Sequence, residues 1–175
     1  YYDGTVTSEL VEYYRARAGS IGTIIVECCF VDDLGLAFPG AIGIDNDEKI
    51  AGLAKIADAI KSKGSKALLQ IYHGGRMVDP KLIGGRTPVG PSAVAAPRDG
   101  AATPVALTSE EVEGMIGKFG EAVRRAIQAG FDGVEIHGAN TYLIQQFYSP
   151  NSNQRDDEWG GSRDNRAKFP LAVLD

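Results

Sequence analysis

Residues 109–137 read SEEVEGMIGKFGEAVRRAIQAGFDGVEIH, a helix-like stretch running straight into a short strand-like one. From Ser109 to about Ala129, the residues Val112, Met115, Ile116, Phe119, Val123, Ala126 and Ile127 recur with the period of one helix face. Thr108 with Glu111 makes a capping-box pattern, and Gly130 supplies a left-handed stop. The segment that follows, 133–137 (GVEIH), is short and apolar, as a buried parallel strand should be.

The same pattern extends toward the amino terminus. Segments 22–27 (GTIIVE) and 66–72 (KALLQIY) are two further strands. Between them a helix is expected over about 47–63, with Ile50, Leu53, Ala54, Ala57 and Ile60 inward and Gly64 as its stop. Another helix, 8–18, precedes the first strand. Alternation of this kind predicts an α/β fold with a parallel sheet. Three such units cannot close a barrel, which needs eight strands and about 250 residues. The apolar run FPLAVLD, residues 169–175, reads as part of a helix, and a section of a barrel is favoured over a small open sheet.

Two long stretches, 74–107 and 148–166, are rich in Gly, Pro and polar residues and follow strands. Connections of that length are usually functional, and a parallel α/β protein builds its site there.

Bulk chemistry narrows the function. A net charge of -5 without a basic cluster argues against nucleic acid, and the apolar runs are too short and interrupted to span a membrane. The two cysteines, Cys28 and Cys29, are neighbours, so neither a disulfide nor a zinc or iron–sulfur site is expected. With only two histidines, His73 and His137, metal catalysis is disfavoured, and a reduced, cytoplasmic compartment is the expectation.

Chemistry concentrates in residues 131–147, FDGVEIHGANTYLIQQF. Glu135 and His137 share a strand face, with His137 at the strand's carboxyl end, Asn140 in the turn and Tyr142 two residues on. An imidazole and a carboxamide can both donate to one carbonyl oxygen and stabilise enolate charge. A phenol stays protonated at neutral pH and can give a proton to carbon. On residue types alone, a structural role for His137, Asn140 and Tyr142 is the commoner reading, and flavin-free acid–base chemistry by His137 and Tyr142, as in a lyase or isomerase, is an alternative.

The blocks RARAGSIGTIIVE (15–27), QIYHGGR (70–76) and AGFDGVEIHGANTYLIQQFYSPNSNQRDDEWGGSRDNR (129–166) carry more. In order and spacing they resemble those of the old yellow enzyme family, the NADH:flavin oxidoreductases, over essentially the whole chain. The resemblance implies that 1–175 is a fragment of one FMN-binding (β/α)8 barrel domain, roughly its second to fourth strand–helix units. It implies hydride passing from NADH or NADPH through FMN to the C=C bond of an α,β-unsaturated carbonyl compound. His137 and Asn140 match the pair that grips the substrate oxygen, and Tyr142 the proton donor. Gln70 matches the amide that meets the flavin pyrimidine ring, and Cys28 a small residue whose backbone touches the flavin.

Three departures stand out. Thr141 occupies a position that is often Gly, Cys28 one that is usually Gly or Ala, and some relatives carry His at the Asn140 position. The remaining polar residues have structural expectations. His73 and Arg76 start a loop; Arg155, Asp156 and Asp157 tie the second long stretch down; Trp159 packs it; Cys28 and Cys29 are inert. The family's flavin phosphate site and a basic residue at flavin N1 come from later strands, and its first strand would precede Tyr1. This segment alone is therefore expected to bind FMN weakly. A remnant that pairs with another chain is a further alternative. Homo-oligomerisation stays open.

Overall fold

The computed structural model describes residues 3–175. Three parallel strands, β1 (Thr23–Phe30), β2 (Lys66–Tyr72) and, later in the chain, β5 (Gly133–Ile136), lie in the order β1-β2-β5. Leu68 pairs with Gly133 and Gln70 with Glu135 across the β2–β5 ladder. Helices α1 (Ser8–Arg17), α2 (Ile50–Lys61) and α3 (Ser109–Gln128) form the outer layer. α1 packs on α2, α2 on α3, and α2 and α3 both lie on β2. Strands added in one direction, with their crossovers on one face, make a barrel wall and not a doubly wound sheet.

That outer face is the core. Val26, Leu69 and Ile71 are fully buried against Leu53, Ile56, Ala57 and Ile60 of α2 and Val112, Met115, Phe119, Ala122 and Ala126 of α3. The capping box on α3 forms in full: Glu111 N–H donates to Thr108 Oγ1 at 3.2 Å, and Thr108 N–H to Glu111 Oε2 at 2.8 Å. Gly130 ends the helix at φ +90°. One expected core residue is misplaced: Ile127 is 54% exposed, because it lies a step round the helix from the Val112–Phe119–Ala126 line, where Ala122 is buried instead.

Several boundaries differ from expectation for local reasons. β1 continues to Phe30 because its register shifts between Val26 and Cys29, and the chain re-pairs with β2 beyond that bulge. Cys28 thus lies inside the strand. A 3-10 turn, Asp47–Lys49, precedes α2, with the Asn46 side chain as its cap. The 74–107 stretch carries two 3-10 turns (Gly75–Met77, Pro80–Ile83) and a two-rung parallel ladder of β3 (Val89–Gly90) and β4 (Val105–Ala106). Residues 148–166 are less irregular than expected. α4 (Leu143–Tyr148) starts directly after Tyr142, and α5 (Arg163–Leu174) begins early because Ser162 Oγ accepts from Asn165 N–H.

The loop between α4 and α5 is tied as the sequence suggests, except at one residue. Arg155 grips the Asp157 carboxylate and donates to the carbonyls of Pro91 and Leu107. Asp156 is exposed and joins no such contact among the described residues. Trp159 is buried in the main core.

Candidate functional site

Among the described residues no helix covers the sheet's second face. Ile25 on β1 is 45% exposed, and Leu68, Gln70, Gly133 and Glu135 are only half-buried. Gln70 Nε2 donates to Glu135 Oε1, and among the described residues no donor meets the Gln70 amide oxygen.

At the carboxyl ends of these strands the expected residues converge. His137 follows β5, and its backbone N–H still donates to Ile71 O at 3.0 Å. The rings of His137 and Tyr142 meet edge to face at 5.0 Å, and Tyr72 lies 5.1 Å from Tyr142 and 6.4 Å from His137. Tyr72 is fully buried, and its hydroxyl accepts from Ala37 N–H. Cys28 belongs to the same apolar cluster as Tyr72 and Tyr142.

Ala139 N–H points at His137 Nδ1 at 3.3 Å, so a neutral ring carries its proton on Nε2. Asn140 Nδ2 lies 3.4 Å from that Nε2. Two donors thus stand side by side, a pair able to serve one shared oxygen. Burial lowers the His137 pKa, although the Glu135 charge opposes it, and the ring is neutral at pH 7. Burial, helped by the neighbouring Cys28, raises the Tyr142 pKa and keeps the phenol protonated. The Cys28 thiol is itself pushed up to about 11 by burial, in line with an unreactive group.

The turn that presents these groups is strained. Asn140 and Thr141 both have positive φ, +53° and +60°, and for a β-branched residue such as Thr141 that is a true outlier. Gln146 holds it. This fully buried amide donates to Thr141 O at 2.6 Å and Gly74 O at 3.1 Å, and accepts from Arg76 N–H at 3.1 Å. Gln146 therefore ties the 73–77 loop to the 138–142 turn. Sequence reading passed over it; its only signal was a glutamine on the apolar side of a short helix.

His73 has the structural place expected of it. It is fully buried, accepts from Gly75 N–H at Nδ1 and faces Asp32 across 3.8 Å. Asp32 is held ionised by His73 and by Lys118, whose Nζ lies 2.6 Å away.

The family model described as NADH:flavin oxidoreductase / NADH oxidase matches residues 1–175. The chain belongs to that family. It is 88% identical over 175 residues to the NADH:fumarate oxidoreductase of Klebsiella pneumoniae (strain 342), covering 100% of this chain and 19% of that protein. It is 64% identical over 174 residues to the NADH:acrylate oxidoreductase of Vibrio harveyi, covering 99% and 17%. Morphinone reductase in complex with tetrahydroNAD superposes with a TM-score of 0.92 at 35% identity, covering 98% of this chain and 51% of that one. An old yellow enzyme homologue from Zymomonas mobilis matches at 0.89 and 35%, covering 97% and 50%.

This NADH:flavin oxidoreductase chain thus spans about a fifth of the two bacterial relatives and half of the solved chains. β1, β2, β5 and their helices are part of a (β/α)8 barrel. FMN is the family's cofactor, with a nicotinamide dinucleotide as reductant. Among the described residues no helix is long and apolar enough to cross a membrane.

Proposed function

We propose that this chain is the substrate-gripping part of an FMN-dependent oxidoreductase that reduces the C=C bond of an α,β-unsaturated carbonyl compound with NADH or NADPH. The observation that carries the proposal is the pair of neighbouring donors, His137 Nε2–H and Asn140 Nδ2–H, 3.4 Å apart at a strand's carboxyl end.

The residues fit the cofactor. Gln70 offers a free amide oxygen on the sheet's open face, suited to the imide edge of a flavin, and Cys28 is small enough to admit the ring beside it. FMN held there would supply the hydride chemistry that links the nicotinamide to the substrate's β-carbon. His137 and Asn140 hold the carbonyl oxygen and stabilise the negative charge that grows on it. A neutral imidazole protonated on Nε2 can donate that hydrogen to the oxygen. Tyr142, kept protonated by burial, supplies the proton to the α-carbon. Tyr72 and Gln146 position these groups from behind.

In the full-length, FMN-loaded protein, Tyr142→Phe should slow enone reduction about a hundredfold or more while flavin reduction by NADH keeps its rate. If neither half-reaction changes, the role given to Tyr142 is wrong.

The names and lengths of the two bacterial relatives favour a second reading. Both are named for unsaturated carboxylates, yet four-fifths of each lies outside the matched segment. In a parent of that size this segment would oxidise NADH and pass electrons on, with C=C reduction performed elsewhere. Tyr142→Phe and His137→Ala that leave NADH-driven fumarate or acrylate reduction untouched would select this reading.

A further inference from the structure

Glu135 is a charged group on the sheet's open face that the reaction proposed above leaves unused. It pairs in register with Gln70 across the β2–β5 ladder, and His137 follows two residues on along the same face. Gln70 Nε2 donates to Glu135 Oε1, and Gln70 is the one hydrogen-bond partner of the Glu135 side chain among the described residues. A glutamine amide is nearly symmetric in shape, and either end could be presented to a ligand. A carboxylate only accepts, so this one can meet only the nitrogen end. The amide oxygen is therefore turned away from Glu135. The Glu135 charge also reaches His137, where it opposes the lowering of that ring's pKa by burial.

We propose that Glu135 is a positioning residue for the flavin that acts through Gln70, holding the amide with its oxygen toward the N3–H of the isoalloxazine imide. That edge of the ring presents one donor, N3–H, between two carbonyl oxygens. With Glu135 on the nitrogen end, the amide oxygen can accept from N3–H, and the second Nε2 proton can serve a flanking carbonyl. A flipped amide would set N–H against N–H and lose both bonds. Fixing one of the two orientations before the ligand arrives removes an ordering cost from binding. The inference rests on the flavin reading of Gln70 given above and adds the residue that orients it.

The test uses the full-length protein, stripped of FMN and reconstituted with FMN carrying nitrogen-15 at N3. Glu135→Gln keeps the shape and removes the acceptor-only partner, so Gln70 can take either orientation. FMN binding should weaken about fivefold, the loss of roughly one hydrogen bond, and the N3 resonance should move toward its position in free FMN. Gln70→Ala should weaken FMN binding as well, and adding Glu135→Gln in that background should cost nothing further. Unchanged FMN affinity and N3 resonance in Glu135→Gln, while Gln70→Ala weakens binding, would overturn this proposal and leave the contact of Gln70 with the flavin standing. Unchanged affinity in Gln70→Ala would overturn both. Additive losses in the double variant would show Glu135 acting independently of Gln70, and would overturn the proposal too.

Discussion

Helix α3 and the turn at 137–142 sit within a few residues of each other in sequence and follow opposite rules. In α3 every level agrees: cap, stop, apolar stripe and buried contacts all specify one helix. In the turn nearly every local preference is violated. Two consecutive non-glycine residues take left-handed backbone, an imidazole is buried, and a glutamine is spent holding the chain in place. Local consistency is how a sequence secures its fold, and a supported violation is where it keeps its chemistry.

This contrast can be broken at several points. The largest effect is expected in the consistent region. Phe119→Ala removes a fully buried ring that meets Phe169 edge-on at 6.4 Å, and should destabilise the protein by about 3–5 kcal/mol in denaturant melts. Next is the support of the turn. Gln146→Ala strands Arg76 N–H and the Thr141 and Gly74 carbonyls, for a loss of about 2 kcal/mol or more. It should also raise KM for an enone, whereas Phe119→Ala should leave KM alone in the fraction that stays folded.

Thr141→Gly should have the reverse sign. It relieves a left-handed β-branched residue, worth about 1 kcal/mol, so Tm should rise slightly. A fall would mean the turn is not strained.

The smallest effect concerns pH. Burial holds the His137 pKa below the ordinary histidine value, so the unfolded chain takes up the proton first as pH falls. Stability attributable to His137 is therefore present above about 6.5 and is lost as pH drops from there toward the lowered folded value. Comparing pH-dependent melts of the protein with those of His137→Gln isolates this contribution; a parallel pair of curves would contradict it.

The contrast also explains what could be read from sequence. The α3 stripe, its capping box and the three strands were legible because each rests on a short-range rule. Extension of β1 to Phe30 was not, since it depends on re-pairing with β2 after a bulge. The polar meshwork in 74–107 escaped for the same reason: Arg76, Val94 and Gln146 meet only after folding. The candidate site was half legible. His137, Asn140 and Tyr142 lie within six residues, so one strand exit brings them together; Gln70 enters through strand register opposite Glu135, and Cys28 lies in the bulge of β1. Gln146 and Tyr72, which set the geometry, have no motif of their own. Thr141 was visible as a departure from the family's pattern, but its backbone cost emerges only from the positive φ.

The most direct measurement is a crystal structure of the full-length, FMN-loaded protein with a cyclic enone bound. The carbonyl oxygen should lie within about 3 Å of both the ring nitrogen of residue 137 and the amide nitrogen of residue 140. An enone whose oxygen meets neither, or side chains 137 and 140 facing separate spaces, would contradict the account.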